Sequence, residues 1–416
     1  MSVQFEANEL KQVQTKESSS LALRIFRGGK IGFAIASGEG GLDTLVDMAV
    51  ETSQFGSLAN FQFPSQFHQD SSKVCIFDSE VGDLTKERMI DIGKELITQI
   101  RAHTPDIICD VEVIKRTGSI SIINSQGGSG RYDKSFFGFG LEGIVVRDTD
   151  MLFVGDSESS CRVDFIGIND LAARVIWQLE MAKEKAAVST KRLPVIFTSN
   201  GVASVLLSPI LLAFNGKTVL EGASPLKDRL GEKVFDKKLN LWDDATVAFR
   251  VGSYPFDDEG VPSQHLPLVT NGIVTNFLYD LRTAALAGTQ STGNGRRVES
   301  GFPNPTISSL RLCQSGGDVS FQAMVEDIKG GLIVEQVMGA EQGNVLSGDF
   351  GGNVLLGYKV ENGEIVGRVK DTMIAGNVYK VLEELLGIGQ ETRWVGGILQ
   401  TPSLYCPRVS VTTKGG

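Results

Sequence analysis

Histidine is almost missing from this chain, with three in 416 residues. His68, His103 and His265 stand alone, none within three or four residues of another histidine or a cysteine, so no helical metal chelate is encoded by them. A lone histidine is ordinarily a satisfied polar residue rather than a ligand or an acid–base group. Cysteine is sparse as well: Cys75, Cys109, Cys161, Cys313 and Cys406 form an odd set without a CxxC spacing. The N-terminus, MSVQFEANELKQ, has neither a basic n-region nor an apolar h-region, and together these features predict a reduced, cytoplasmic protein. Long hydrophobic runs are also lacking. The longest, over 202–214, is interrupted by Ser204, Ser208 and Pro209 and is too short to span a bilayer, so no membrane partner is expected.

Positive charge is in deficit. With 40 Lys and Arg against 50 Asp and Glu the net charge is −10, and no basic block or reader motif is present, so nucleic acid is not expected as a partner. No phosphate-binding Walker loop and no GxSxG nucleophile elbow occur. Glycine, by contrast, is abundant at 48 residues and predicts many turns and a large β content. The length suits two or three domains.

Periodicity predicts an α+β architecture. Alternation over 2–37, with Leu21, Leu23, Ile25 and Ile31, Phe33, Ile35 flanking a turn at 27–30, reads as a hairpin with one buried face. Helical spacing follows over 42–54 and again over 86–101. A second β run covers 107–114, 119–124, 135–146 and 149–154, and a helix follows over 168–185. Two β runs, each followed by a helix, suggest an internally duplicated N-terminal α+β domain over 1–190. The charged segment 183–192 marks a boundary, and a β-rich C-terminal domain is expected over 191–416. It opens with a strand at 195–198 and a helix over 200–215. Further on, 348–352 reads as a turn, 358–366 as a hairpin around Asn362-Gly363, and 375–389 as a helix.

Several motifs carry a chemical and a structural reading. Gly138, Gly140 and Gly143 spell GxGxxG, but Ile144, Val145 and Val146 continue as a strand where a dinucleotide site needs a helix, so close strand packing is the better reading. The stretch 255–297 holds an acidic turn (Asp257, Asp258, Glu259, Gly260), a hairpin turn at Asn271-Gly272, a short helix stopped by Gly288, and a glycine turn around Gly293, Asn294 and Gly295. The acidic trio offers oxygen ligands for a divalent cation, although such triplets more often stay solvated or cap a neighbouring backbone. Arg296 and Arg297 suit either a peptide carboxylate or the acidic turn itself, the second being the commoner arrangement.

The order and spacing of these pieces resemble the TldD/PmbA family of metalloprotease-related proteins. The likeness runs through SSSLALRIFRGGKIGFA, LPVIFTSNGVASVLL, GASPLKDRLGEKVF, the DDEG turn, TGNGRR, GDFGGN, ENGEI and IAGN. It implies the family's two-domain architecture. Family members usually begin with another helix, and this chain starts inside the first strand, so its first domain is expected to be shortened or to rely on a partner. In the TldD-like branch the helix after the PVI strand carries HExxxH, whose histidines hold zinc while the glutamate activates water. On that pattern Ser208, Pro209 and Ala213 stand at the motif positions, and the late segment 385–399 lacks the branch's cysteine ligand, Cys406 lying beyond it.

The chain therefore resembles the PmbA (TldE) branch, which lacks the motif and pairs with a zinc-bearing TldD-like subunit. The resemblance implies a zinc-free subunit of a cytoplasmic peptidase complex acting on unfolded peptides, with no catalytic or metal residue of its own. Asp257, Asp258, Glu259, Gly260, Asn294 and Arg296 are its scaffold or cleft candidates, and homo- or hetero-oligomers are expected. Two rival readings remain: a peptidase in its own right using another site, and a regulatory protein-binding protein, as the older family label of gyrase modulator implies.

Overall fold

The structure, a computed structural model, describes all residues except 39–40, 68–73, 165–166, 298–301, 314 and 414–416. In the N-terminal part, β1 (Ser2–Glu6) and β2 (Glu9–Gln14) form a hairpin, and β3 (Ser20–Arg27) and β4 (Lys30–Ser37) form a second. The second hairpin closes through Gly28 and Gly29, both left-handed at φ 57° and 76°, which is what a two-residue turn between twisted strands demands. Helix α1 (Leu42–Ser53) lies directly on β4. A methyl group at Gly32 would stand 2.0 Å from the Ala49 carbonyl oxygen, so only glycine admits the approach.

After α2 (Ser79–Asp83), α3 (Lys86–His103) starts at a Thr85 cap whose hydroxyl accepts from the Arg88 amide. Strands β5 (Ile108–Ile123), β6 (Ser129–Arg147) and β7 (Asp150–Ser160) follow, then α4 (Ile168–Met181). Here the two β runs part company with the expected repeat. The first hairpin joins the later strands in a five-stranded sheet of order β2-β1-β5-β6-β7, while β3 and β4 stay a separate pair. Alternating residues of that sheet (Val3, Phe5, Cys109, Val111, Val113) meet the apolar stripe of α3 (Met89, Ile92, Leu96, Ile100) and part of α4. The segments 107–114 and 119–124 are one strand, since Gly118 keeps its place in the ladder opposite Lys134. Gly138, Gly140 and Gly143 all lie inside β6, where an added Cβ at Gly140 would come within 2.9 Å of Ser157.

Strand β8 (Lys191–Phe197) leads into α5 (Ser199–Phe214), followed by α6 (Gly216–Leu220), β9 (Leu241–Asp244), β10 (His265–Thr270), β11 (Ile273–Val274) and α7 (Leu281–Ala287). Then come β12 (Gly295–Arg296), β13 (Asn304–Pro305), β14 (Leu310–Leu312), α8 (Phe321–Asp327) and β15 (Gly330–Met338). The chain closes with β16 (Asp349–Glu361), β17 (Glu364–Arg368), β18 (Thr372–Asn377), α9 (Val378–Glu383), β19 (Gly387–Val395) and β20 (Leu399–Thr413). Eleven of these strands make one mixed sheet: nine follow the path β11-β10-β9-β14-β20-β18-β16-β15-β8, while β17 pairs with β16 and β19 with β20. Its core holds Val202, Val205, Leu206, Ile210 and Phe214 of α5 against strand residues such as Leu241, Leu310 and Leu404.

Two expectations fail in this part. The stretch 375–389 is helical only in α9, because its ends are drawn into the ladder: Ala375 pairs with Gly351 and Ser410, and Ile388 with Leu404. The turn expected over 348–352 ends at Gly348 (φ 80°), and the following glycines belong to β16, where a Cβ at Gly352 would sit 2.5 Å from the Met338 carbonyl oxygen. The hairpins at Asn271-Gly272 and Asn362-Gly363 form as expected, each with both turn residues at positive φ.

Candidate functional site

The acidic turn is inside the protein. Asp257 is 0% and Glu259 2% exposed, which rules out the solvated arrangement. The Asp257 carboxylate accepts from the Glu259 and Val261 amides, each at 2.9 Å, and from the Gly295 amide at 2.8 Å. Gly260 supplies the left-handed residue at φ 81° and lies so close to Phe67 that a Cβ would be 2.2 Å from its ring. Asp258 accepts from the Arg297 amide at 2.7 Å, and its Oδ2 is 3.4 Å from Arg296 Nε. The Arg296 guanidinium stacks 4.4 Å above the Tyr254 ring; burial works against its charge, but Asp258, Tyr254, Tyr132 and Asp257 together more than offset it and hold the guanidinium above its ordinary range.

Glu259 brings in a partner from the other end of the chain. Its Oε1 accepts from Arg24 of β3 at 2.6 Å, while Oε2 accepts from the Leu281 amide at the start of α7. The Arg24 guanidinium also lies 4.6 Å from the Phe63 ring centroid. Burial drives the Asp257 carboxyl well above the usual range, reinforced by Glu259, and burial raises Glu259 against the pull of Arg24. Asn294 completes the group. Its amide donates to Asp243 Oδ2 at 2.6 Å and to the Thr306 carbonyl, and Asp243 is held in turn by Ser308. The carboxylate oxygens of Asp257 and Glu259 are thus spent on backbone amides and one arginine. Chemically, the arrangement anchors four segments to one another (β3, the acidic turn, the glycine turn and α7).

Helix α5 is the second candidate. Thr198 caps it, accepting from the Gly201 amide. The Ser208 hydroxyl donates to Glu341, the Tyr379 hydroxyl donates to the Pro209 carbonyl at 3.3 Å, and Ser224 donates to the Ala213 carbonyl at 2.7 Å. Pro209 and Ala213 are buried, and neither carries a side-chain atom able to ligate a cation. The helix runs through Pro209 to Phe214. Cys406 is fully buried on β20, and burial pushes its thiol well above the usual range, as it pushes Cys313 up to about 11. Among the described residues no group of three or more His, Cys, Asp or Glu side chains is placed to hold a metal ion.

Two groups escaped the sequence reading. Glu335 sits in the apolar-looking run of β15 at an irregularity in its pairing with β16, with Asn200 Nδ2 3.5 Å from its Oε2. Burial pushes its carboxyl up to about 7. A bulge of this kind re-aims a side chain, and nothing in the residue pattern announces it. A charged ring also joins the two parts of the chain: Arg174 of α4 reaches Asp156 at 2.5 Å and Glu158 at 2.8 Å, and Arg393 of β19 pairs with the same two carboxylates. Of the histidines, His103 contacts Glu180 at 2.5 Å and His265 contacts Asp244 at 2.8 Å, while His68 lies outside the described residues. Among the described residues no helix is long and apolar enough to cross a membrane.

Residues 190–413 match the family model described as PmbA/TldA metallopeptidase C-terminal domain, and residues 1–53 match the PmbA/TldA metallopeptidase domain 1 model. The chain is 25% identical over 428 residues to the metalloprotease PmbA homolog of Haemophilus influenzae, covering 99% of this chain and 90% of that protein. It is 24% identical to an uncharacterized protein of Methanocaldococcus jannaschii, covering 93% and 88%. In three dimensions it is similar to TldE from Thermococcus kodakarensis, with a TM-score of 0.85 at 21% identity over 99% of this chain and 94% of that one. The last likeness establishes the fold.

Proposed function

Because the chain belongs to the PmbA/TldD metallopeptidase family, we propose that it serves as the zinc-free subunit of a two-subunit cytoplasmic peptidase acting on unfolded peptides. The observation that carries this reading is α5. At the positions where the resemblance sets zinc ligands and the water-activating glutamate, the chain offers one hydroxyl already bonded to Glu341 and two buried side chains without a donor atom. These residues do not fit a zinc ion, so no hydrolytic step is assigned to this chain. Its contribution is to hold the acidic turn and the β3–β4 hairpin in place, and to present an extended peptide to the partner's metal. Extended peptides bind sheets chiefly through main-chain groups, which suits sequence-tolerant capture.

Affinity purification of the chain from its native host tests the reading. Enrichment of a family member carrying HExxxH is the expected result. A chain that runs alone, and never enriches such a relative, would sink the partnership.

A further inference from the structure

Two of the three tryptophans lie on one outward row of the large sheet. Strand register places Pro267 beside Trp242, Trp242 beside Arg311, Arg311 beside Gln400 and Gln400 beside Trp394, a single line across β10, β9, β14, β20 and β19. Direct neighbours in a sheet share a face. The alternate residues Leu241, Leu266, Leu310 and Leu399 point into the core, so the row faces away from it. All five of its residues keep part of their surface open. Three strand spacings separate the two indoles, about 14 Å.

The polar centre of the row is pre-arranged. Arg311 Nε donates to Gln400 Oε1 at 2.8 Å, Gln400 Nε2 donates to Thr392 at 2.9 Å, and Arg311 Nη1 reaches Asp244 Oδ2 at 3.2 Å. Asp244 also faces His265, whose side chain is 45% exposed. At the far end the Arg250 guanidinium lies 4.5 Å from the Trp394 ring. Two arginines against one carboxylate leave the face positive on a chain of net charge −10. The nearby Glu158 is already held by Arg174 and Arg393.

We propose that this row binds an extended acidic peptide, with large apolar side chains at positions i and i+4 resting on Trp242 and Trp394 and a carboxylate at i+2 on Arg311. The spacing selects that pattern. An extended chain advances about 3.3 Å per residue and turns alternate side chains to the same side, so i and i+4 are separated by about 13 Å on one face. Gln400 and Asp244 hold Arg311 through Nε and Nη1, which leaves Nη2 to donate to the peptide carboxylate, and tryptophan and arginine are both enriched at binding hot spots. The inference rests on the peptide-handling part of the proposed function, and it concerns binding by this chain alone, without metal or turnover.

The test is fluorescence anisotropy of a labelled Ser-Phe-Ser-Asp-Ser-Phe-Ser peptide with the full chain, at several salt concentrations. Replacing the peptide's Asp by Asn, or moving the second Phe by one position, should each weaken binding about tenfold. Arg311→Gln should erase the preference for Asp over Asn, and Arg311→Lys should retain part of it. Equal affinity for the three peptides overturns the inference, as does an Asp preference that survives Arg311→Gln. So does tighter binding of an acidic polysaccharide such as polygalacturonate. Because the Asp→Asn and shifted-Phe changes are made in the peptide, a folding defect cannot imitate them. If the peptides fail to bind while a zinc-bearing relative still co-purifies, the row is wrong and the subunit assignment stands. If they bind and no relative appears, the reverse holds.

Discussion

Arg24 and Glu259, 235 residues apart in the chain, meet at 2.6 Å in a pair whose side chains are 12% and 1% exposed. The contact fastens the β3–β4 hairpin to the acidic turn of the C-terminal part. Removing one partner of a buried pair leaves an uncompensated charge, which costs more than the pair contributes.

Arg24→Ala should therefore destabilise the protein by about 3–5 kcal/mol in urea unfolding. The double variant Arg24→Met with Glu259→Gln should recover much of that loss. A single-variant cost below about 1 kcal/mol would show that the pair behaves as a surface salt bridge.

Glu335 predicts a pH dependence with a definite sign. Its folded carboxyl is pushed up to about 7 by burial, above an ordinary value of 4.5. The folded state thus binds the extra proton. The associated stability is fully present below about pH 4.5 and is lost as pH rises through about 7, by about 3 kcal/mol in all. Glu335→Gln should flatten the stability profile over that window. A parent and variant whose unfolding midpoints change in parallel from pH 4.5 to 8 would refute the assignment.

Gly260→Ala attacks the acidic turn through the backbone. The left-handed φ of 81° and a Cβ 2.2 Å from the Phe67 ring act together, so a loss of about 2–4 kcal/mol is expected. Phe67→Ala removes the clash and leaves the φ strain, so Gly260→Ala should cost less in a Phe67→Ala background than in the parent. Thermal unfolding followed by circular dichroism reads both.

The charged ring of Asp156, Glu158, Arg174 and Arg393 spans the two parts of the chain. Arg393→Met should destabilise by about 3 kcal/mol and should expose the contact between β7 and β19 to faster hydrogen exchange than the rest of the large sheet. Uniform exchange across both parts would argue that the ring is not a joint.

Local elements were legible where local physics decides them. The Gly28-Gly29, Asn271-Gly272 and Asn362-Gly363 turns need left-handed residues and have them, and α1, α3, α4 and α5 follow their apolar spacing. What the residue pattern hides is long-range. Nothing near Val3 says that β1 will pair with β5 more than a hundred positions later, and nothing near Arg24 points to Glu259. Of the two structural readings of the acidic turn, solvated or capping a neighbouring backbone, the second is the one that forms, and its depth is what the residue pattern hides. Its burial depends on amides from Glu259, Val261 and Gly295 and on one distant guanidinium. Glu335 was invisible for the same reason: a bulge in β15, not its neighbours in sequence, decides where its side chain goes.

The central claim is that this chain supplies structure, and a relative supplies the metal. Purified chain, a purified family member carrying HExxxH, and their mixture should be compared for size, zinc content and cleavage of an unfolded peptide. The expected result is a complex in the mixture, zinc contributed only by the relative, and peptide cleavage that requires both. Stoichiometric zinc and peptide turnover in this chain alone would contradict it.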